Sequence, residues 1–439
     1  MDIKQQKSSV SVLSLLIFIS AAIFFVGQGV VIGAAARASA GGAPDRLTLK
    51  VTGKNVPRSF IYPLVLQSIS ENIRLQTDAQ YSVVLREKEI PFAALPEGTF
   101  RELIVPVRFY GAKYKTETKK ITLTVENVDV EETKVPEYLY ISNSPESVRR
   151  PKIVFQGELL QENTVRFLAH HKNISDVSFH FLFIIRNPHS ETVQVRIIRA
   201  PAGITSNEMR AGHYTSAHFL KSAASGTGYI REMPPDSYFL LYRDNFPKGS
   251  TLSAMCEISV VKGKGIQFSS RIMDSFVTET TVVQSMKDAG MYQTRGIYPK
   301  PFIYTEKSFE VGNEWLYTSV GENPISGLYP ADGKLDGNYG VTHEIKVKVV
   351  NNSKKKERVD VYFFSAAGPA SGTVLIDEKF VEIPASKSSD MLKIHTFYML
   401  PEERREIRVV TMPEPGSFYP ARIVFGARAI KDDEKTANH

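Results

Sequence analysis

The stretch Val341-Thr-His-Glu-Ile-Lys-Val-Lys-Val349 alternates apolar and polar side chains. Successive side chains of a β-strand point to opposite faces of the sheet, so Ile345, Val347 and Val349 share one face with Val341. The charged residues of the stretch share the other face. Such a strand lies in an antiparallel sheet that has a core on one side and solvent on the other. The segment therefore predicts a half-buried antiparallel strand.

Short runs rich in Val, Ile, Phe, Tyr and Thr recur along the rest of the chain, with Gly, Pro, Asn and Ser between them. One of them, Ser178–Ile185, is apolar on both faces and predicts a central strand. Thr205-Ser-Asn-Glu208 has the spacing of a capping box, and the next dozen residues lack alternation, which predicts a short helix over 206–221. With this single expected helix, the pattern predicts an all-β protein of tandem antiparallel β-sandwich domains of the immunoglobulin-like type.

Changes in composition predict where the domains begin and end. Val128–Val135 is an acidic linker, and prolines interrupt the strand pattern in Gly296–Pro301. The predicted blocks are an N-terminal β-sandwich over 44–132, a middle β-sandwich with a short helix over 138–296, a C-terminal β-sandwich over 300–430 and a polar tail over 431–439.

The second and third blocks share a weak internal repeat. In one, a strand ends at Asn187 and an alternating strand follows at 193–197; in the other, a strand ends at Asn352 and the next follows at 359–363. Both read as two strands joined by a polar turn. Duplication of one sandwich unit would produce this repeat, and so would the general preferences of β-hairpins.

The first 40 residues have the parts of a secretory signal peptide. Lys4 and Lys7 precede an apolar run, Val12–Val26, and Ala38-Ser39-Ala40 is a small-residue cleavage site. The apolar character resumes far enough that residues 10–36 could instead span a membrane as an uncleaved anchor. Either interpretation predicts an exported protein in the periplasm, at the cell surface or outside the cell.

Composition describes an ordinary globular protein, with 42% hydrophobic and 23% charged residues. The net charge is +7, but basic and acidic residues are mostly interleaved, so no nucleic-acid partner is expected. The single cysteine, Cys256, stands in an apolar run, which indicates a small buried side chain rather than a nucleophile.

The sequence shows no catalytic or metal-binding constellation. His170 and His171 are adjacent on a predicted strand, so their side chains point to opposite faces and cannot jointly bind one ion without a bulge. We expect one of them to be packed or hydrogen-bonded and the other to lie near the surface. Nucleophile-elbow and phosphate-loop patterns are also missing. No catalytic residue, metal or cofactor is therefore expected.

One aromatic cluster is a candidate ligand-binding site: Trp315, Tyr317, Tyr329 and Tyr339. They lie in or beside a segment rich in Gly, Asn and Asp, between Gly312 and Gly340. Exposed aromatic faces beside amide and carboxylate groups suit sugars, whose rings have apolar C–H faces and polar edges. Packing of these side chains within loops is the alternative.

A family resemblance rests on the succession Ile141-Ser-Asn-Ser-Pro-Glu146, His170-His171 and Asn187-Pro188. With these motifs the chain resembles uncharacterised secreted bacterial proteins, and it is similar to a cyanobacterial family classed as a domain of unknown function. Gly337–Val341 and the strand after it resemble the last domain of the former group. The resemblance implies export and a β fold and brings no activity with it.

Two functions follow as expectations. The first is a non-catalytic exported envelope protein that binds a polysaccharide or a surface protein, because tandem sandwiches present loops and strand edges to partners. The second is a secreted, glycosidase-like hydrolase whose acid and base come from distant strands at a domain junction.

Overall fold

The structure is a computed structural model that describes residues 38–130, 135–143, 146–274, 277–286, 292–293, 296–330 and 333–428. The predicted polar tail and the predicted signal or anchor, apart from residues 38–40, lie outside them. Within the described part of the chain, no helix is both long and apolar enough to cross a membrane. Ala40, the last residue of the predicted cleavage site, is fully buried, and its carbonyl accepts a hydrogen bond from the Gln76 amide.

The N-terminal block consists of a sheet with a helix packed against it. Its elements are β1 (Gly41–Gly42), β2 (Arg46–Thr52), β3 (Asn55–Pro57), α1 (Arg58–Asn72), β4 (Arg74–Leu75), β5 (Gln80–Val83), a 3-10 turn (Glu87–Glu89), β6 (Ala94–Pro96), β7 (Phe100–Tyr110) and β8 (Glu117–Asn127). Strand β2 is parallel to β8, and β7 pairs with both β8 and β5.

The middle block is a two-sheet sandwich with two helices on its outside. Its elements are β9 (Tyr138–Ser142), β10 (Ser147–Val148), β11 (Lys152–Leu160), β12 (Thr164–Asn173), β13 (Phe179–Arg186), β14 (Val193–Arg199), β15 (Gly203–Thr205), α2 (Glu208–Ala224), β16 (Gly228–Met233), β17 (Tyr238–Phe246), β18 (Thr251–Lys262), β19 (Gly265–Met273), α3 (Glu279–Met286), β20 (Tyr292–Gln293) and β21 (Gly296–Pro299). The two sheets meet through phenylalanines such as Phe167 and Phe183, whose ring centroids are 5.1 Å apart.

The third block is a second sandwich with its own core. Its elements are β22 (Phe302–Glu310), β23 (Leu316–Val320), β24 (Ile325–Ser326), β25 (Lys334–Leu335), a 3-10 turn (Asp336–Asn338), β26 (Thr342–Val350), β27 (Glu357–Ser365), β28 (Ala370–Ile376), β29 (Lys379–Ser386), β30 (Met391–Met399), β31 (Arg404–Thr411) and β32 (Ala421–Arg428). Ile345, Val347 and Val349 are buried in this core, as their alternation predicts.

The all-β, tandem-sandwich prediction is confirmed, but the expectation of a single helix is wrong. Helix α2 lies where a helix is predicted, although its N-cap is Asn207, whose side chain accepts a hydrogen bond from the Arg210 amide. Helices α1 and α3 are additional. Ile61, Leu64, Val65 and Ile69 of α1 are buried with helical spacing, but the interior Pro63 disfavours a helix. The β-sandwich prediction for 44–132 did not include α1.

The N-terminal block extends one sheet of the middle sandwich. Strand β2 pairs with β16, so one continuous sheet has the order β21-β9-β12-β18-β14-β16-β2-β8-β7-β5. The apolar residues of both blocks also belong to one hydrophobic core. Backbone hydrogen bonds and a shared core therefore join the first two predicted blocks.

The middle and third sandwiches have the same strand order. The sheets β9-β12-β18-β14-β16 and β17-β13-β19-β11 correspond to β22-β26-β31-β28-β29 and β30-β27-β32-β23. In both, the first strand is parallel to its neighbour. The predicted repeat, which matches Asn187 with Asn352, is therefore misaligned by one strand. The β12–β13 pair corresponds to β26–β27, and Asn173 is the equivalent of Asn351.

A buried asparagine anchors the same corner in both sandwiches. Asn173 Nδ2 donates hydrogen bonds to the carbonyls of Val177 and Phe246, at 2.9 and 3.0 Å. Asn351 Nδ2 donates to the carbonyls of Lys355 and Leu400, at 2.8 and 2.9 Å. Each side-chain oxygen accepts a bond from the amide two residues later. The amide thus ties a turn of one sheet to the end of a strand in the facing sheet.

The buried side chain of Arg166 joins the two sandwiches. Arg166 Nη2 on β12 lies 2.7 Å from Glu257 Oε1 on β18, and both side chains are buried. Arg166 Nη1 also donates to the Gly340 carbonyl at 2.6 Å and to Thr342 Oγ1 at 3.0 Å. The guanidinium lies over the ring of Phe219 on α2. One side chain therefore contacts both sandwiches and the helix between them.

We predict that Asn351→Ala lowers the free energy of unfolding by about 1–3 kcal/mol, because it leaves buried carbonyl groups without a donor. Urea unfolding of the full chain measures this loss. Asn352→Ala is the control, since the Asn352 side chain is exposed and donates to the exposed Glu310 carboxylate. Equal effects of the two substitutions would contradict the corner's role.

Candidate binding face

The four predicted aromatic residues lie in three different places. Trp315 and Tyr317 flank Leu316 at the start of β23, on the outer side of the third sandwich. Tyr329 lies in the β24–β25 connection, where its carbonyl accepts a hydrogen bond from the Ile297 amide. Tyr339 packs against the cores, and its hydroxyl donates to the Ser417 carbonyl at 2.8 Å. The structure therefore brings only Trp315 and Tyr317 together.

The ring of Trp315 lies across the neighbouring strand. The pairing of Leu316 with Phe425 places Trp315 beside Gly426 of β32. A Cβ atom at Gly426 would lie 2.6 Å from Trp315 Cε2, so only glycine leaves room for the ring there. Trp315 then stacks on Tyr362 of β27, with ring centroids 5.5 Å apart and an angle of 11° between the rings.

We call Trp315, Tyr317 and Tyr362 the aromatic face. Trp315 is partly exposed and Tyr317 is 48% exposed, whereas Tyr362 is buried beneath them. Trp315 also borders an open cavity of about 760 Å³ that Glu310, Asn313 and other residues of the β22–β23 turn line. The face thus combines accessible aromatic rings with neighbouring amide and carboxylate groups.

A buried carboxylate supports the aromatic face from within the same sheet. Asp360 accepts hydrogen bonds from Thr396 Oγ1 at 2.6 Å, Arg358 Nη2 at 3.0 Å and the Tyr362 hydroxyl at 3.3 Å. Burial acts to raise the pKa of Asp360, but the hydrogen bonds from Thr396 and Arg358 outweigh it and lower the pKa. Asp360 is therefore ionised, and its bond to the hydroxyl orients the Tyr362 ring.

The equivalent surface of the middle sandwich is covered by a helix. Leu182 and Ile184 on β13 correspond to Asp360 and Tyr362 on β27, and they belong to an apolar cluster with Val282 and Met286 of α3. In the third sandwich, Trp315 covers this position instead. The same place in the two folds is thus a closed apolar contact in one and a partly open aromatic surface in the other.

Sequence reasoning missed Tyr362, Asp360 and Gly426 as members of the site. They lie far from Trp315 along the chain, and only the pairing of β23, β32 and β27 brings them beside it. A signal was present in Val359-Asp-Val-Tyr-Phe363, where an acid and an aromatic alternate with apolar residues. That alternation places Asp360 and Tyr362 on the face opposite the core.

The expectation that one of the two adjacent histidines lies near the surface is wrong. Both are buried. His170 lies on the outer side of β12, which α2 and the third sandwich cover, and His171 lies on the inner side, with Ala169 and Leu252 of the core. His171 Nε2 lies 2.9 Å from Ser142 Oγ, and burial lowers the pKa of His170 to about 4. Cys256 is buried, as its apolar surroundings predict.

A polar cluster lies where α2 meets the third sandwich. Glu414 is fully buried and accepts hydrogen bonds from Ser371 Oγ and Thr373 Oγ1, each at 2.8 Å. His213 Nδ1 on α2 lies 2.8 Å from the same carboxylate. The helix comes this close because residue 212 is glycine: a Cβ atom there would lie 1.7 Å from the Pro415 carbonyl oxygen.

This junction cluster has the residue types of a hydrolase but not the arrangement. A serine nucleophile needs a base within hydrogen-bond distance and an orienting carboxylate behind the base. Here the Ser371 hydroxyl and the His213 ring both bond to Glu414, which therefore stands between them. The cluster ties α2 to the third sandwich and does not supply a nucleophile–base pair.

Comparison with known proteins identifies no family for the chain. No family model and no curated protein matches the chain. Among solved structures, it is similar to the N-terminal CBM22-1-CBM22-2 tandem domain of Xyn10C from Paenibacillus barcinonensis, with 9% identity, coverage of 66% of this chain and 94% of that chain, and a TM-score of 0.14. It is also similar to Lac15 from a marine microbial metagenome, with 10% identity, coverage of 75% and 74%, and a TM-score of 0.12. TM-scores this low support no functional conclusion.

We predict that His213 makes stability depend on pH. Burial alone would lower its pKa, but the hydrogen bond and charge of Glu414, with the charge of Glu382, raise the pKa above its usual value. A raised folded-state pKa contributes stability that is complete below about pH 6.5 and is lost as pH rises through the folded-state pKa. The difference in unfolding free energy between the native chain and His213→Gln should therefore shrink as pH rises.

Urea unfolding at several values between about pH 6 and pH 9 measures this difference. His218→Gln is the matched control, because His218 lies on the same helix, is exposed and bonds to the Tyr214 carbonyl. A pH-independent difference for His213→Gln would contradict the prediction.

Proposed function

We propose that the protein is a non-catalytic, exported envelope protein that binds a polysaccharide on the aromatic face. The observation that carries the proposal is the stacked pair of Trp315 and Tyr362, with the exposed Tyr317 beside it on the same sheet. Sugar rings pack their C–H faces on such aromatic surfaces.

The neighbouring polar groups support a sugar ligand over a purely apolar one. Asn313 and Glu310 line the cavity beside Trp315 and offer amide and carboxylate groups to ring hydroxyls. Lys393 is exposed on β30 and lies in the same outer row of the sheet as Tyr362. A few polar groups around an aromatic surface are what orient a ligand in a binding site.

Export remains part of this proposal and rests on residues 1–40. Their basic start, apolar run and small-residue site are those of a signal peptide, and residues 10–36 are the membrane anchor if the segment is retained. Cell fractionation with sequencing of the mature N-terminus separates these two forms. Recovery of the intact chain in the cytosol would contradict both.

We predict that the full chain is retained on peptidoglycan or on extracellular polysaccharide, and that Trp315→Ala and Tyr317→Ala each weaken binding by about 1–3 kcal/mol. Co-sedimentation with increasing amounts of each insoluble polysaccharide measures the affinity. Tyr317→Ala is the cleaner variant, because the Tyr317 side chain is half exposed and its loss leaves the stack of Trp315 on Tyr362 in place.

Tyr238→Ala is the matched control, since Tyr238 is 44% exposed at the start of β17 in the middle sandwich. Equal retention of all variants would contradict binding at the aromatic face. A parallel glycosidase and esterase screen tests the alternative of a secreted hydrolase. Turnover that one carboxylate substitution abolishes would favour that alternative.

A further inference from the structure

Strand β22 is the outermost strand of its sheet. It pairs with β26 alone, and within the described residues no strand pairs with its other edge. The Pro301 carbonyl accepts a hydrogen bond from the Thr342 amide, so it points toward β26. The backbone groups of every second residue after Pro301 point the same way. The residues between them, among them Tyr304 and Glu306, have their backbone amide and carbonyl groups directed away from β26. They form an open row of donors and acceptors.

The equivalent edge of the middle sandwich already holds a strand. Strand β9 corresponds to β22, and its outer edge pairs with β21 in antiparallel register, from Gly296 opposite Ile141 to Pro299 opposite Tyr138. When Asn173 is matched to Asn351, Tyr138–Ile141 corresponds to Ile303–Glu306. The chain itself therefore shows the geometry in which this edge of the fold accepts a short extended segment.

Lys307 gives the open edge a chemical preference. It lies on β22 on the same side as the buried Phe309, yet it is exposed, and no carboxylate lies within ion-pair distance of it among the described residues. The equivalent residue of β9 is the uncharged, buried Ser142. A cation on the inner side of an edge strand opposes pairing with most other strands. A segment with an acidic residue opposite Lys307 removes that opposition.

We propose that the outer edge of β22 binds an extended segment of a partner protein as an added antiparallel strand against Ile303–Glu306, with an acidic residue opposite Lys307. Main-chain hydrogen bonds to Tyr304 and Glu306 provide the attachment, and the pairing of opposite charges at Lys307 selects the segment. This site is separate from the aromatic face and does not depend on sugar binding.

The test uses two labelled peptides based on residues 294–299 of the chain, Thr-Arg-Gly-Ile-Tyr-Pro, in which Arg295 is replaced. The first has the sequence Thr-Glu-Gly-Ile-Tyr-Pro, in which glutamate lies opposite Lys307, and the second has lysine in place of the glutamate. Fluorescence anisotropy measures their binding to the full chain. We expect saturable binding of the glutamate peptide and binding of the lysine peptide that is weaker by about tenfold.

Two variants locate the binding. Lys307→Glu should reverse the preference between the two peptides, and it changes only an exposed side chain. Glu306→Pro should abolish binding of both, because proline removes the amide that points at the added strand while the bonds to β26 remain. Absence of saturable binding by either peptide, or an unchanged preference in Lys307→Glu, would overturn the proposal. Retained binding in a folded Glu306→Pro variant would overturn it as well.

Discussion

The buried guanidinium of Arg166 is the contact on which the arrangement of the two sandwiches depends. It pairs with Glu257 inside the middle sandwich, and it donates to the Gly340 carbonyl and Thr342 Oγ1 where the third sandwich begins. Removal of one partner of such a pair leaves a buried charge and costs about 3–5 kcal/mol. The polar cluster around Glu414 adds a second attachment through α2. These contacts hold the outer side of β12 and β18 against the third sandwich.

Two sandwiches of one topology therefore expose different surfaces. In the middle sandwich, α2 and the third sandwich cover one outer face, and α3 covers the β13–β19 face through Val282 and Met286. In the third sandwich, among the described residues, the Trp315 ring lies over Tyr362 on the face equivalent to the one under α3. In the middle sandwich, α3 covers the equivalent of the aromatic face, and β21 pairs with the edge equivalent to that of β22. The aromatic face and the open β22 edge are therefore both found on the third sandwich.

The sequence was sufficient for β26, whose alternating side chains show which face is buried, and for β13, whose apolar residues on both faces indicate a central strand. It was insufficient for α1, because the interior Pro63 disfavours a helix. The helical spacing of the apolar residues Ile61, Leu64, Val65 and Ile69 was the opposing signal. The sequence predicted only part of the aromatic face. Trp315 and Tyr317 are neighbours in sequence, whereas Asp360, Tyr362 and Gly426 join them only through strand pairing, which one sequence does not determine.

The most direct test of sugar binding at the aromatic face uses the only tryptophan in the chain. Because Trp315 is partly exposed, its fluorescence should be quenched by iodide in the free protein. Titration with soluble fragments of the polysaccharide that retains the protein should change the Trp315 emission in a saturable way and protect it from iodide. Saturable binding of the same fragments, measured by calorimetry, without any change in emission or in iodide quenching would contradict the account.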